Sequence, residues 1–203
     1  MAAQLLPLFP FSVVLLPAMP LPLHIFEPRY KEMFGDLREP SDEFGVVLAK
    51  DEGIVNIGCS ARVEHVVNRY EDGRLDLIAI GARRFQIDSL DQSKSYLQAA
   101  VEFFDDENVA DPASDLAARA QAAYRELLQL EEVEPPETRS ARLSFQIGQL
   151  IRDLDKRQAL LALRSESERL DFILKTLPEY IARQQRTLLA KRVAPQNGHA
   201  KGL

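Results

Sequence analysis

Apolar residues run almost without a break from position 5 to position 30, and the first charge in this stretch is Glu27. Prolines at positions 7, 10, 17, 20 and 22 interrupt the run. Each proline removes a backbone N–H and pushes the residue before it toward extended backbone, which excludes a single buried or membrane-spanning helix. The pattern therefore predicts a strand at about 5–9, a loop through 16–20 and a second strand at about 21–26.

The spacing of apolar residues changes after this run. Pro28 predicts the start of a helix, because a first-turn N–H has no intrahelical partner and its loss costs nothing. Beyond the helix, short alternating segments predict strands, and Asp72-Gly73 predicts a hairpin turn between two of them. Six or seven short strands at this spacing predict a closed or partly closed barrel. The predicted strands are 44–49, 54–57, 61–68, 75–80, 85–90 and 96–103.

Helical periodicity replaces the strand pattern beyond position 108. Asp111-Pro112 predicts a helix start with aspartate as the N-cap, and 165–168 form a capping box that opens the last helix. Pro178 should kink or restart that helix. Further helices are expected at 138–153 and 155–163. The sequence thus predicts an α+β protein with a β-rich domain at 1–108, a helical bundle at 109–193 and a disordered tail at 194–203.

Three stretches of this pattern resemble a known family. The order Leu-Phe-Pro, Val-Leu-Leu-Pro and Met-Pro-Leu-Pro-Leu-His-Ile-Phe-Glu-Pro-Arg-Tyr, within 8–30, is similar to the start of the Lon protease N-terminal domain, which also occurs in cereblon and in free-standing bacterial proteins. The stretches IGCSARV at 57–63 and IGARRF at 80–85 resemble its strand motifs. The resemblance covers 5–107 closely and implies a PUA-like pseudo-barrel that recognises a substrate or a partner.

Charge and cysteine content narrow the possible partners. The net charge is -6, and residues 1–108 hold 10 Lys or Arg against 18 Asp or Glu. An acidic front half repels phosphate backbones and makes nucleic acid an unfavoured partner. The single cysteine, Cys59, excludes an internal disulfide and a cysteine-based metal site. Because no basic segment and no cleavage site flank the apolar run, we expect neither a signal peptide nor a membrane anchor, and a cytoplasmic location.

The sequence predicts no enzyme activity. It contains no G-x-x-x-x-G-K-S/T phosphate loop, and its length leaves no room for a Lon-type peptidase domain. Cys59 and His65 lie on separate strand segments, which favours a packed thiol over a nucleophile with its base. For His24, a hydrogen-bonded structural role is more typical than metal ligation. We therefore expect no cofactor and no metal ion.

The remaining candidate is the charge-free loop at 15–20, for which two interpretations stay open. It either folds back over the barrel and the first helix, or it forms an exposed groove wall that takes apolar segments of other polypeptides. The resemblance to the Lon domain implies a non-catalytic polypeptide-recognition or adaptor module that binds unfolded or extended polypeptides or a partner protein, and the second interpretation predicts that this loop borders its binding surface. A PUA-like nucleic-acid binder is the alternative. The predicted partner-binding residues are Leu16, Pro17, Met19, Pro20, Tyr30 and Phe34.

Overall fold

The structure is a computed structural model that describes residues 5–37, 39, 41–107, 110–135 and 142–193. Within these residues, the first part of the chain contains seven strands and one early helix. In chain order these are β1 (Leu6–Phe11), β2 (Pro20–Ile25), α1 (Pro28–Asp36), β3 (Glu43–Lys50), β4 (Gly53–Ile54), β5 (Ile57–Arg69), β6 (Leu75–Asp91) and β7 (Gln98–Phe104).

Five of the strands close into a ring. Their order is β1-β7-β6-β5-β3, and the parallel pairing of β1 with β3 completes the circle. The other pairings are antiparallel, with β2 added to the first half of β6 and β4 added to the end of β3. The predicted α+β class and barrel are therefore confirmed. Closure pairs the edges that an open sheet would expose.

Two predicted breaks are absent from the barrel, and both predictions were wrong. β5 runs through Gly58, and β6 runs through Gly81 as one strand of 17 residues. Gly58 permits close packing here rather than a turn, because a Cβ added to it would lie 2.5 Å from Cζ of Phe85. The long β6 pairs with β2 through its first half and with β7 through its second half.

In the described part of the chain, four helices follow the barrel: α2 (Ser114–Glu131), α3 (Leu143–Leu150), α4 (Leu154–Ala162) and α5 (Glu166–Val193). α2 begins later than predicted, with Ala113 rather than Asp111 at the N-cap position. The capping box is confirmed, since Ser165 Oγ accepts a hydrogen bond from Glu168 N at 3.2 Å. α5 continues through Pro178, so of the two predicted effects of this proline a restart does not occur, and a kink stays a prediction. None of the described helices is long and apolar enough to cross a membrane.

One apolar core joins the barrel to the helices. Leu16 and Phe44 from the β-rich part share this core with Ile147, Leu160 and Ile173 from the helices. A smaller cluster that includes Leu8, Val47 and Phe85 packs separately. The boundary near 108 stays a prediction, and the predicted tail at 194–203 lies outside the described residues.

Candidate functional site

The loop at 15–20 folds back onto β6. Leu15 and Leu16 are 1% and 0% exposed. Gly81 forms two backbone hydrogen bonds with the loop, accepting from Ala18 N at 2.8 Å and donating to Met19 O at 3.0 Å. Ala18 has a φ of 61°, a left-handed conformation that an alanine adopts only when its surroundings hold it there. The first half of the loop therefore belongs to the core.

The predicted site residues separate into two groups. Leu16, Tyr30 and Phe34 are at most 9% exposed, and the ring of Phe34 lies edge-on to Phe44 at a centroid distance of 5.0 Å. These three side chains therefore contribute to the packing between the barrel and α1, and a role for them in partner binding stays a prediction. Pro17 and Met19 are half-buried, and Pro20 is exposed.

Pro17 and Ala18 form one wall of a cleft of about 700 Å³. The cleft lies where the loop, the strands β5 and β6, the segment after β7 and the start of α3 meet. Four arginines and three carboxylates line it, and Phe145 contributes an aromatic surface. The charged residues are Arg62, Glu64, Arg83, Arg84, Asp105, Asp106 and Arg142.

Glu43 holds two of these arginines in place. Its Oε1 accepts hydrogen bonds from Nε and Nη2 of Arg62 at 3.0 and 2.6 Å, and its Oε2 accepts from Nε and Nη2 of Arg83 at 3.2 and 3.1 Å. Burial of Glu43 opposes its ionisation, but hydrogen bonds from Ser60, Arg62 and Arg83 outweigh it and lower the pKa of this carboxyl below its ordinary value. Both arginine side chains remain about half exposed, at 52% and 53%.

Asp106 binds three arginines at the back of the cleft. Its carboxylate lies 2.6 Å from Nη2 of Arg84, 2.6 Å from Nη1 and Nη2 of Arg169, and 3.2 Å from Nε of Arg142. The side chains of Arg84, Asp106 and Arg169 are 5%, 5% and 0% exposed. Since Arg84 lies on β6 and Arg169 on α5, this carboxylate connects the barrel to the last helix.

The network continues into the helices. Glu166 accepts hydrogen bonds from Arg169 at 2.9 Å and from the hydroxyl and backbone N–H of Ser144 at 2.6 and 3.0 Å. Nη1 of Arg84 also donates to the carbonyls of Leu161 and Leu163. The buried charges therefore have partners, as burial requires.

A smaller and more apolar groove of about 300 Å³ adjoins the cleft. It lies between α1 and the strands β5 and β6, and Glu64 lines both depressions. Phe34 and Val63 contribute to its apolar lining, and Leu37 stands at the end of α1. An extended chain that crosses Glu64 would therefore contact a charged cleft on one side and an apolar groove on the other.

The outer edge of β2 is unsuited to binding an added strand. Among the described strands β2 pairs only with β6. In an antiparallel pair, the backbone N–H and C=O groups of successive residues point alternately toward the paired strand and away from it. Met19 O accepts a hydrogen bond from Gly81 N, so the backbone groups of Pro20 and Pro22 point away from β6. Those residues have no N–H to offer a partner strand, which protects this edge from strand addition.

The described residues contain no cluster of three or more His, Cys, Asp or Glu that could hold a metal ion. Cys59 is fully buried, and burial raises the pKa of its thiol to about 12, which keeps it protonated. His65 is exposed. His24 contacts Asp76, and hydrogen bonds from His24, Tyr70 and Asn68 lower the pKa of Asp76 to about 2. His24 is thus a hydrogen-bonded histidine, as predicted.

Comparison with known proteins identifies the family. The model of the ATP-dependent protease La (LON) substrate-binding domain matches residues 5–195. The chain belongs to this family. Its structure is similar to that of a Lon N-terminal domain protein from Xanthomonas campestris, with a TM-score of 0.69, 25% identity and coverage of 85% of this chain and 98% of that one. The N-terminal domain of the Lon protease of the Mycobacterium avium complex shares the fold, with a TM-score of 0.56, 16% identity and coverage of 88% and 98%.

The arginine-lined cleft was missed at the level of sequence. Arg62 stands in IGCSARV and Arg83-Arg84 in IGARRF, the two stretches that resemble strand motifs of the Lon domain. The partners Glu43 and Asp106 lie in other elements. The sequence does show three arginines within two strand motifs of an otherwise acidic half. No periodicity in the sequence, however, indicates that these arginines line the same cleft.

Proposed function

We propose that this chain is a non-catalytic module of the cytoplasm that recognises unfolded or extended polypeptides or a partner protein. The observation that carries the proposal is its membership of the Lon substrate-binding domain family over residues 5–195. Membership supports recognition of a polypeptide, and the site geometry suggests where recognition takes place.

The cleft and its adjoining groove are the best candidate surface. Together they offer charged, aromatic and aliphatic contacts beside Pro17, and Phe34 reaches the groove. Both depressions are open at the surface, which suits a chain segment without defined secondary structure. Because the prolines of β2 disfavour strand addition, side-chain contacts should provide most of the binding free energy.

A role without catalysis agrees with the chemistry of the candidate residues. Cys59 is protonated and buried, and the carboxylates of Glu43 and Asp106, which hold the arginines of the cleft, have lowered pKa values. A general base needs a pKa near the working pH and a free path to the substrate. These groups have neither property.

Binding of a labelled protein held permanently unfolded, compared with its native form, tests the proposal. We expect the unfolded form to bind and the native form not to bind, as measured by fluorescence anisotropy. Met19→Ser then tests the predicted loop surface, because Met19 is half-buried and packs against the core. A loss of affinity with an unchanged melting temperature supports a contact with the partner. Equal binding of both forms, or of neither, contradicts the proposal.

Nucleic acid is the second candidate, because the cleft concentrates arginines that could contact phosphate. The acidic balance of residues 1–108 opposes it, since a long polyanion would be repelled outside the cleft. Titration with single-stranded and double-stranded oligonucleotides at low salt provides the comparison. Tighter binding of an oligonucleotide than of the unfolded protein would favour this alternative.

A further inference from the structure

The ion pairs at the cleft join more arginines than carboxylates. Glu43, Asp106 and Glu166 bind five arginines: Arg62, Arg83, Arg84, Arg142 and Arg169. Two further carboxylates, Glu64 and Asp105, line the cleft and are exposed. These five carboxylates balance the five arginines in number, so a preference for an anion depends on where the guanidinium groups present their remaining N–H donors.

Arg62 and Arg83 keep donors available for a ligand. Each uses Nε and Nη2 for Glu43, and within the described part of the chain Nη1 of neither arginine forms a hydrogen bond. A guanidinium group carries five N–H donors in a fixed planar arrangement. The remaining N–H groups suit a second carboxylate, and the half-exposed side chains give it access.

These arginines are also ordered before any ligand binds. The guanidinium of Arg83 lies 3.6 Å from the ring centroid of Phe103, which holds it from one face while Glu43 holds its edge. Arg142 is 40% exposed and is bound to Asp106, which is itself fixed by two buried arginines. A ligand would not need to immobilise these side chains, and this removes an entropic cost of binding.

We propose that the cleft binds an acidic segment of an extended polypeptide, whose carboxylates are received by Arg62, Arg83 and Arg142. This inference rests on the proposed function and names the chemistry of its preferred substrate. The exposed carboxylates of Glu64 and Asp105 also line the cleft and disfavour ligand carboxylates that lie beside them. The apolar groove beyond Glu64 receives an aliphatic or aromatic side chain next to the acidic segment.

Three labelled peptides of equal length test the proposal. Each carries one aromatic residue next to a segment that is acidic (Asp and Glu), neutral (Asn and Gln) or basic (Lys). We expect the acidic peptide to bind at least about tenfold more tightly than the neutral one at low salt, and this advantage to shrink as salt rises. The basic peptide should bind most weakly.

Arg62→Gln should weaken binding of the acidic peptide about threefold to tenfold and leave the neutral peptide unchanged. Glu43 keeps Arg83 as a partner in this variant, so the fold should persist. Arg74→Gln is the matched control, because Arg74 is also half-exposed, is paired with Asp72 and stacks on Tyr70, but lies outside the cleft. Glu64→Gln should act in the opposite direction and raise the affinity of the acidic peptide.

The outcomes separate this inference from the proposed function. Equal affinity for acidic and neutral peptides, with binding of the unfolded protein retained, refutes the acidic preference alone. Loss of acidic-peptide affinity in Arg74→Gln equal to that in Arg62→Gln places the contact elsewhere and also refutes it. Failure of every peptide and of the unfolded protein to bind refutes both proposals. Tighter binding of an oligonucleotide than of an acidic peptide of equal charge overturns the inference in favour of nucleic acid.

Discussion

Asp106→Asn should strongly destabilise the fold. Asp106 contacts Arg84 and Arg169, whose side chains are 5% and 0% exposed, and also Arg142. The substitution keeps the size of the side chain and removes its negative charge. The buried guanidinium groups of Arg84 and Arg169 then lose a carboxylate that offsets their positive charge. Breaking a buried ion pair from one side costs about 3–5 kcal/mol in the free energy of unfolding.

A loss of this size is measurable by thermal unfolding. One kcal/mol corresponds to about 2–4 °C in the melting temperature of a chain of this length. We therefore expect Asp106→Asn to lower the melting temperature by about 6–20 °C, as followed by circular dichroism. Asp105→Asn is the matched control, because Asp105 is the next residue along the chain and its own carboxylate is exposed. This substitution should change the free energy of unfolding by no more than about 0.5 kcal/mol.

The same substitution should alter the response to acid. Burial raises the pKa of Asp106, but its hydrogen bonds and charge pairs with Arg169 and Arg84 outweigh burial and hold the pKa below its ordinary value. A lowered folded-state pKa contributes stability that is present above the unfolded-state pKa of about 3.9 and is lost as pH falls through the folded-state value. Asp106→Asn should therefore flatten the loss of stability below about pH 4. If both variants melt within 2 °C of the wild type, or if Asp105→Asn has the larger effect, the network does not connect barrel and helices as described.

Three further experiments, one of them on a substituted protein, test the packing and the domain organisation. Gly81→Ala should destabilise by about 1–3 kcal/mol in urea unfolding, because its Cβ would lie 2.2 Å from the carbonyl oxygen of Leu16. Cys59 should resist a thiol reagent at neutral pH until the protein unfolds, since burial holds its thiol protonated, and mass spectrometry measures the modified fraction. Limited proteolysis should cut first near 131–137 or after 193. We expect cleavage within 21–26 only after the protein unfolds, because this segment is paired with β6.

Each of these has a control or a contrary result. Gly35→Ala has open space around its new Cβ and lies in α1, so it should leave stability unchanged or raise it slightly. Rapid labelling of Cys59 in the folded protein would contradict its buried position. Early cleavage inside 21–26 would contradict the pairing of β2 with β6.

Local sequence determined the elements whose causes are local. Prolines at 7, 10, 17, 20 and 22 excluded one long helix and predicted two extended segments, which correspond to β1 and β2. Asp72-Gly73 predicted a hairpin, and the structure has Gly73 at a φ of 81° between β5 and β6. The Ser165–Glu168 capping box predicted the start of α5. These signals act within a few residues, so the chain itself displays them.

Tertiary structure alone decided the continuity of β5 and β6, the burial of Leu16 and the composition of the cleft. Gly58 and Gly81 resemble breaks in sequence, but each lies where another side chain or backbone approaches too closely for a Cβ. Arg62, Arg84, Asp106 and their partners are separated by up to 126 positions, from Glu43 to Arg169. Barrel closure and the packing of α3 and α5 bring them together, and the low dielectric of the interior then makes their pairing obligatory. Local patterns carry no information about that proximity.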